Sequence, residues 1–121
     1  MVIIINIDLK NPKPIFEQVK DGFKNLIIIG VLSSDEKIPS VREMAQELAI
    51  NPNTIQKAYR ELEAEGYVYQ VVGKGTFVAK VEPGENQVRI AELMLKVEDL
   101  SRELIYLGVA KAEIIAILDK L

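Results

Sequence analysis

Between Asn51 and Gly66 the polar side chains Asn53, Thr54, Gln56, Lys57 and Arg60 are interleaved with Ile55, Ala58, Tyr59 and Leu62 at helical spacing. On a helix the apolar set shares one face and the polar set looks outward. Amide side chains both donate to and accept from the edges of bases, and Lys and Arg neutralise phosphates, so this outer face carries the groups needed to read double-stranded DNA. Asn53 and Gln56 are the candidates for base contact, with adenine the favoured partner through its N6 and N7 edge. For Asn53, phosphate contact or helix capping competes with that role. Catalytic chemistry finds no comparable set. The chain has no Cys and no His, which removes disulfides, zinc fingers, Cys and His nucleophiles and the commonest metal sites. No Ser has a histidine partner, and the Gly73-Lys74-Gly75 turn lacks the Lys-Ser/Thr end of a nucleotide-binding loop. Neither an enzyme activity nor a cofactor is expected.

These side chains need a frame, and the surrounding sequence supplies one. Asn51 is a good N-cap, Pro52 is preformed for a first helical position, and Gly66 is a natural stop, so a helix is expected between them. Upstream, Ser40-Val41-Arg42-Glu43 has the spacing of a capping box, and Met44, Ala45 and Leu48 give a second apolar face that should end near Ala49. Two short helices joined through Ile50 and Asn51 make a helix-turn-helix, whose first helix crosses the DNA backbone. Arg42 in the first turn is unfavourable to the helix dipole, which a phosphate partner explains; a solvated Arg or a surface pair with Glu47 is the competing reading. After Gly66 the period changes. Tyr67 to Val72 and Thr76 to Val78 read as strands broken by Gly73-Lys74-Gly75, a hairpin whose tip Lys can approach a groove.

Taken in order, Ile38-Pro39-Ser40-Val41-Arg42-Glu43-Met44-Ala45, then Asn53 through Gly66, then Gly73-Lys74-Gly75-Thr76-Phe77-Val78 resemble the N-terminal winged helix of the GntR family of bacterial transcription regulators. The resemblance spans roughly Pro14 to Lys80. It implies a phosphate contact for Arg42, a groove position for Asn53, Thr54 and Gln56, and a wing tip at Gly73 and Lys74. Ser40, Asn51, Lys57 and Arg60 complete the expected DNA-binding set. Members of the family often carry Arg at the positions of Pro52 and Gln56, and Pro-Gly in place of Ser33-Ser34, so base preference does not transfer. A chain of 121 residues resembles the short-tailed YtrA-like subfamily, in which a winged helix precedes a small helical dimerisation segment and which is often encoded beside transporter genes.

The fold class expected is therefore mainly α with a small β wing: a winged helix-turn-helix over residues 1–80 and a two-helix dimerisation segment over 81–121. Val2-Ile3-Ile4-Ile5 reads as a strand or extended arm, and Pro14 starts a helix with Ile15, Val19, Phe23, Leu26 and Ile27 on its apolar face. A membrane-surface helix is the alternative, disfavoured by the absence of Trp and of a Lys-rich polar face. Glu82-Pro83-Gly84-Glu85 breaks both periodicities and marks the boundary. Beyond it Ile90, Leu93, Val97, Leu100, Leu104 and Leu107 alternate at spacings of three and four, the seam of a packed helix or coiled coil, until Gly108 stops the helix with Val109 behind it. A second short helix carries Ile114, Ile115, Ile117 and Leu118, and Met94, Leu95, Ile105 and Tyr106 widen the apolar surface. So small a hairpin cannot bury this surface alone; it must fold onto the winged helix or a second copy, and a homodimer is expected.

Net charge is the objection to DNA binding, because −3 overall is the reverse of a basic footprint. The excess is local: residues 1–80 hold ten Lys plus Arg against ten Asp plus Glu, and residues 81–121 hold five against eight. Distribution can rescue binding, with weak non-specific affinity. No apolar run reaches the length of a membrane span and no leader pattern opens the chain, so a cytoplasmic location is expected. An effector pocket is not expected within one chain, and whether a small molecule binds between subunits is left open. The leading expectation is a homodimeric repressor on a palindromic operator. A winged helix used only for protein contacts is the alternative.

Overall fold

The computed structural model describes residues 5–81 and 86–121, and the chain divides into two compact units, Met1–Val81 and Glu82–Leu121. The first holds α1 (Ile15–Ile28), α2 (Val41–Leu48), α3 (Pro52–Ala64), β1 (Val68–Val71) and β2 (Gly75–Val78); the second holds α4 (Gln87–Tyr106) and α5 (Lys111–Asp119). The architecture is mainly α with a small β wing, as the periodicities predict. The Glu82-Pro83-Gly84-Glu85 break lies outside the described residues, as does the Val2–Ile5 run except for its last residue. Ile5 is buried without being part of a strand. It rests on Gly22, where a Cβ would come within 2.8 Å of the Ile5 side chain, so a glycine inside α1 lets the N-terminal arm cross the helix closely.

The core of the first unit joins α1 to α3. Val19 and Phe23 meet Ile55, Ala58, Tyr59 and Leu62, while Met44 and Ala45 close it from α2 and Ile38, Val68 and Val78 from the wing side. Phe23 and Tyr59 stand edge to face with centroids 5.4 Å apart, the arrangement that brings a positive ring edge to a negative ring face. Ile15, Leu26 and Ile27 are only partly buried at the margin of this core. Lys20 reaches from α1 to Glu61 (3.0 Å) and Glu65 (3.2 Å) of α3, and Lys24 to Glu65 at 3.6 Å. Burial works against the Lys20 charge, but hydrogen bonds to Glu61 and Glu65 outweigh it and raise its pKa. The contribution is thus complete at neutral pH and is lost only as pH climbs past the ordinary lysine value.

The antiparallel wing pairs Val68 with Val78 and ends at Val71 with Gly75. Its turn is Val72-Gly73-Lys74, one residue earlier than the glycine spacing suggests, because Gly75 joins β2 and the Lys74 amide closes the turn onto the Val71 carbonyl at 2.9 Å. A further edge, invisible in the periodicity, lies along β2. The Asp35 and Ile38 amides donate to the Val78 and Thr76 carbonyls, Val78 donates to Glu36, and Lys37 bridges Phe77.

In the second unit α4 ends in a Schellman motif: Val109 donates to the Leu104 carbonyl and Gly108 to Ile105, with Gly108 at φ +98°. None of its residues is buried.

Candidate nucleic-acid interface

The helix-turn-helix is built by caps. Ser40 Oγ accepts from the Glu43 amide at 3.1 Å, one half of the capping box. α2 stops after Leu48 because Ala49 turns left-handed (φ +55°), and the Ile50 amide reaches back to the Ala45 carbonyl. Asn51 Oδ1 then accepts from the Asn53 amide at 2.8 Å and starts α3 with Pro52 in its first turn. Capping therefore falls to Asn51, and the Asn53 side-chain amide is left available to a ligand. At the far end Tyr67 donates to the Leu62 carbonyl and Gly66 to Glu63, so Gly66 (φ +85°) turns the chain from α3 into the wing.

Tyr59 fixes how the two helices meet. Its ring is buried under α3 and its hydroxyl donates to the Pro39 carbonyl at 2.8 Å, immediately before α2. Burial, reinforced by Glu43 and Glu47, pushes this phenol well above its ordinary value and keeps it a neutral donor.

Ile55, Ala58, Tyr59 and Leu62 are all buried, and Asn53, Gln56, Lys57 and Arg60 are exposed; Thr54 is only partly open. Lys57 is less free than its spacing implies, because its Nζ sits 3.9 Å over the Phe16 ring. Its cation is shared with the protein's own aromatic face. Arg42 is exposed and does not pair with Glu47. Among the described residues of the first unit, Lys13, Lys20 and Lys24 are tied to carboxylates, whereas Lys37, Arg42, Arg60 and Lys74 form no ion pair. The head is neutral by count, yet the cations left unpaired by acids lie mostly on the turn-flanking helices and the wing. Glu61 and Glu65, which weaken a DNA-binding reading when only counted, are partly neutralised by α1.

Val72, Gly73 and Lys74 stand exposed at the wing tip, where Gly73 holds φ +77°. Between the wing and the start of α2 lies an open groove of about 410 Å³, lined among others by Lys37, Ser40, Gln70, Lys74 and Gly75. Sequence reasoning passes over Lys37 because it belongs to neither helix nor hairpin. The only sign of it is its place directly before Ile38-Pro39-Ser40.

In the second unit the six seam positions are all solvent-facing, with Leu104 the least open at 36% and Leu100 at 62%. Ser101 and Ile105 of α4 instead form, with Lys111, Ile114 and Ile115, a hollow of about 240 Å³. That is below the roughly 300 to 1,000 Å³ of pockets that bury small ligands. Among the described residues no cluster of acidic side chains could hold a metal ion, and no helix is long and apolar enough to cross a membrane.

Residues 15–78 match the family model of bacterial regulatory proteins of the gntR family. The HTH-type transcriptional repressor YtrA of Bacillus subtilis is 42% identical over 77 residues, 64% of this chain and 59% of that protein, so the match spans about three fifths of its length. Over 97% of the chain the fold superimposes on 88% of a solved transcriptional antiterminator from Listeria monocytogenes, with a TM-score of 0.88 and 38% identity. Over 62% of the chain it matches 96% of the AraR DNA-binding domain solved in complex with its operator ORX1, with a TM-score of 0.57 and 34% identity.

Proposed function

Because the chain belongs to the gntR family of bacterial regulatory proteins, we propose that it is a sequence-specific DNA-binding transcriptional regulator, acting as a repressor. The observation that carries this reading is the outer face of α3, where Asn53, Gln56 and Arg60 are exposed above a fully buried apolar face. A helix held rigidly from behind, with free amides near its N-terminus, is what major-groove readout requires. In this reading Ser40 and Arg42 hold the DNA backbone, Asn51, Asn53, Thr54 and Gln56 lie at the groove with Lys57 and Arg60 beside it, and Gly73 and Lys74 place the wing. Residues 1–80 form the reading head and 81–121 the dimerisation segment.

The active species is a homodimer on a palindromic operator. Support comes from the second unit, whose apolar positions Ile90, Leu93, Val97, Leu100, Leu104 and Leu107 are exposed on a single chain, although water is a poor environment for such a stripe. Symmetry then places the half-sites about 34 to 36 Å apart, or a multiple of that. In this reading the operator belongs to a transporter operon, and DNA upstream of the chain's own gene is the first probe to use. Anisotropy titrations of that duplex, of a mixed-sequence duplex and of an RNA duplex of matching sequence test the proposal. Preference for the upstream DNA supports it; equal binding to all three, or to none, overturns it.

Substitutions of two kinds separate the roles. Arg42→Ala is expected to weaken binding to every duplex alike and to lower the salt slope by about one unit, because a phosphate contact carries no sequence information. A loss confined to the preferred site would mean that Arg42 reads a base. Gln56→Ala or Asn53→Ala, in contrast, is expected to cost about 1 to 3 kcal/mol on the preferred site and to relax selectivity at one position. Selection from a randomised duplex pool measures this, and an unchanged profile for both variants would remove the base-contact assignment.

A further inference from the structure

The groove between the wing and α2 contains a cation that neither the helix-turn-helix nor the hairpin tip accounts for. Lys37 lies on the short edge that pairs with β2, bridging Phe77, and its backbone is fixed by the Ile38-to-Thr76 hydrogen bond beside it (2.9 Å). Its side chain runs across Gly75: a Cβ on that glycine would stand 2.8 Å from Lys37 Cε and 3.6 Å from Nζ. Gly75 itself holds φ +128°, a backbone region that side chains disfavour. The bare glycine thus serves two purposes, closing the register with Val71 and leaving a track for the lysine stem. The ammonium lines the groove together with Lys74 and Gln70, and no carboxylate pairs with it. An anion entering the groove would meet lysine side chains at its border and no acidic side chain among its lining residues.

We propose that Lys37, laid over Gly75, is a phosphate-binding residue that grips the DNA backbone between the wing and α2. The inference rests on the DNA-binding reading above and adds to it a contact outside both recognised motifs. A duplex backbone suits the site better than a small anion because the groove is open along its length and both cations border it from exposed positions. Gly75 is the positioning residue for this contact.

The test is anisotropy of the full chain on a mixed-sequence DNA duplex across a salt series, with thermal unfolding of each variant as a folding control. Lys37→Met keeps the stem and removes the charge. It is expected to weaken binding several-fold and to lower the salt slope by about 0.9, the value for one B-DNA phosphate, while Lys37→Arg restores both. Gly75→Ala, whose methyl displaces the lysine, is expected to lower the slope in the parent chain but not further in a chain already carrying Lys37→Met. If Lys37→Met leaves affinity and slope unchanged while Arg42→Ala reduces them, the inference fails and the DNA-binding reading stands. A parent chain that binds no duplex at all removes both.

Discussion

Leu100→Glu is expected to yield a monomer whose first unit remains folded and whose affinity for its operator falls by orders of magnitude. Leu100 is mid-seam on α4, where a carboxylate would be desolvated against an apolar partner, with Lys96 one turn away as its nearest cation along the helix. The buried core residues of the first unit all lie between Ile5 and Val78, so its folding is expected to be independent of this position. The loss in binding is large because a neutral reading head grips one half-site weakly. Joining two heads turns the second contact into an intramolecular one, with an effective concentration up to about the millimolar range for short linkers. Sedimentation and operator titration on the same sample decide the matter. A variant that stays dimeric, or a monomer that binds as tightly as the parent, defeats the dimer proposal.

Phe23→Ala should produce the largest loss of stability, about 3 to 5 kcal/mol for truncating a fully buried aromatic residue. Phe23 has no exposed surface and packs edge to face on Tyr59, so its removal leaves a cavity under the residue that anchors α3 to Pro39. Small domains have only about 5 to 15 kcal/mol in all. The recognition helix is thereby loosened from behind, and DNA binding should fall although Phe23 is far inside the core. Denaturant titration of parent and variant measures the cost. A change below about 1 kcal/mol, the centre of the range for point substitutions in general, would mean that the α1–α3 core is not what holds the reading head together.

Folding redistributes the charges that a count along the chain leaves balanced. Counting charges makes the head neutral and places Glu61, Glu63 and Glu65 on the recognition helix. Folding brings Lys20 and Lys24 of α1 onto Glu61 and Glu65, residues some forty positions away in the chain. The same step ties Lys57 to Phe16. What remains for DNA is a smaller but less opposed set of cations, because charges within a few ångströms of a partner screen one another at longer range.

The sequence by itself determined the helices, their caps and stops, the buried face of α3, the polar face opposite it and the order of helix-turn-helix, wing and tail. These are local properties. The 3.6-residue period, the Asn51-Pro52 start and the glycines at 66 and 108 act within a few residues of where they stand. Only the tertiary structure decided which polar groups are free. Lys57 and Arg60 both face outward by spacing, yet folding lays the Lys57 ammonium over the Phe16 ring while Arg60 forms no ion pair among the described residues. The wing turn moved by one residue because Gly75 is held by Val71 across the hairpin, and the edge at 35–38 became a strand partner only because β2 offered it hydrogen bonds. Lys37 illustrates the division most clearly. Nothing in its neighbours along the chain assigns it a role; that role comes from a glycine 38 positions later, whose missing side chain leaves a track only after the chain has folded.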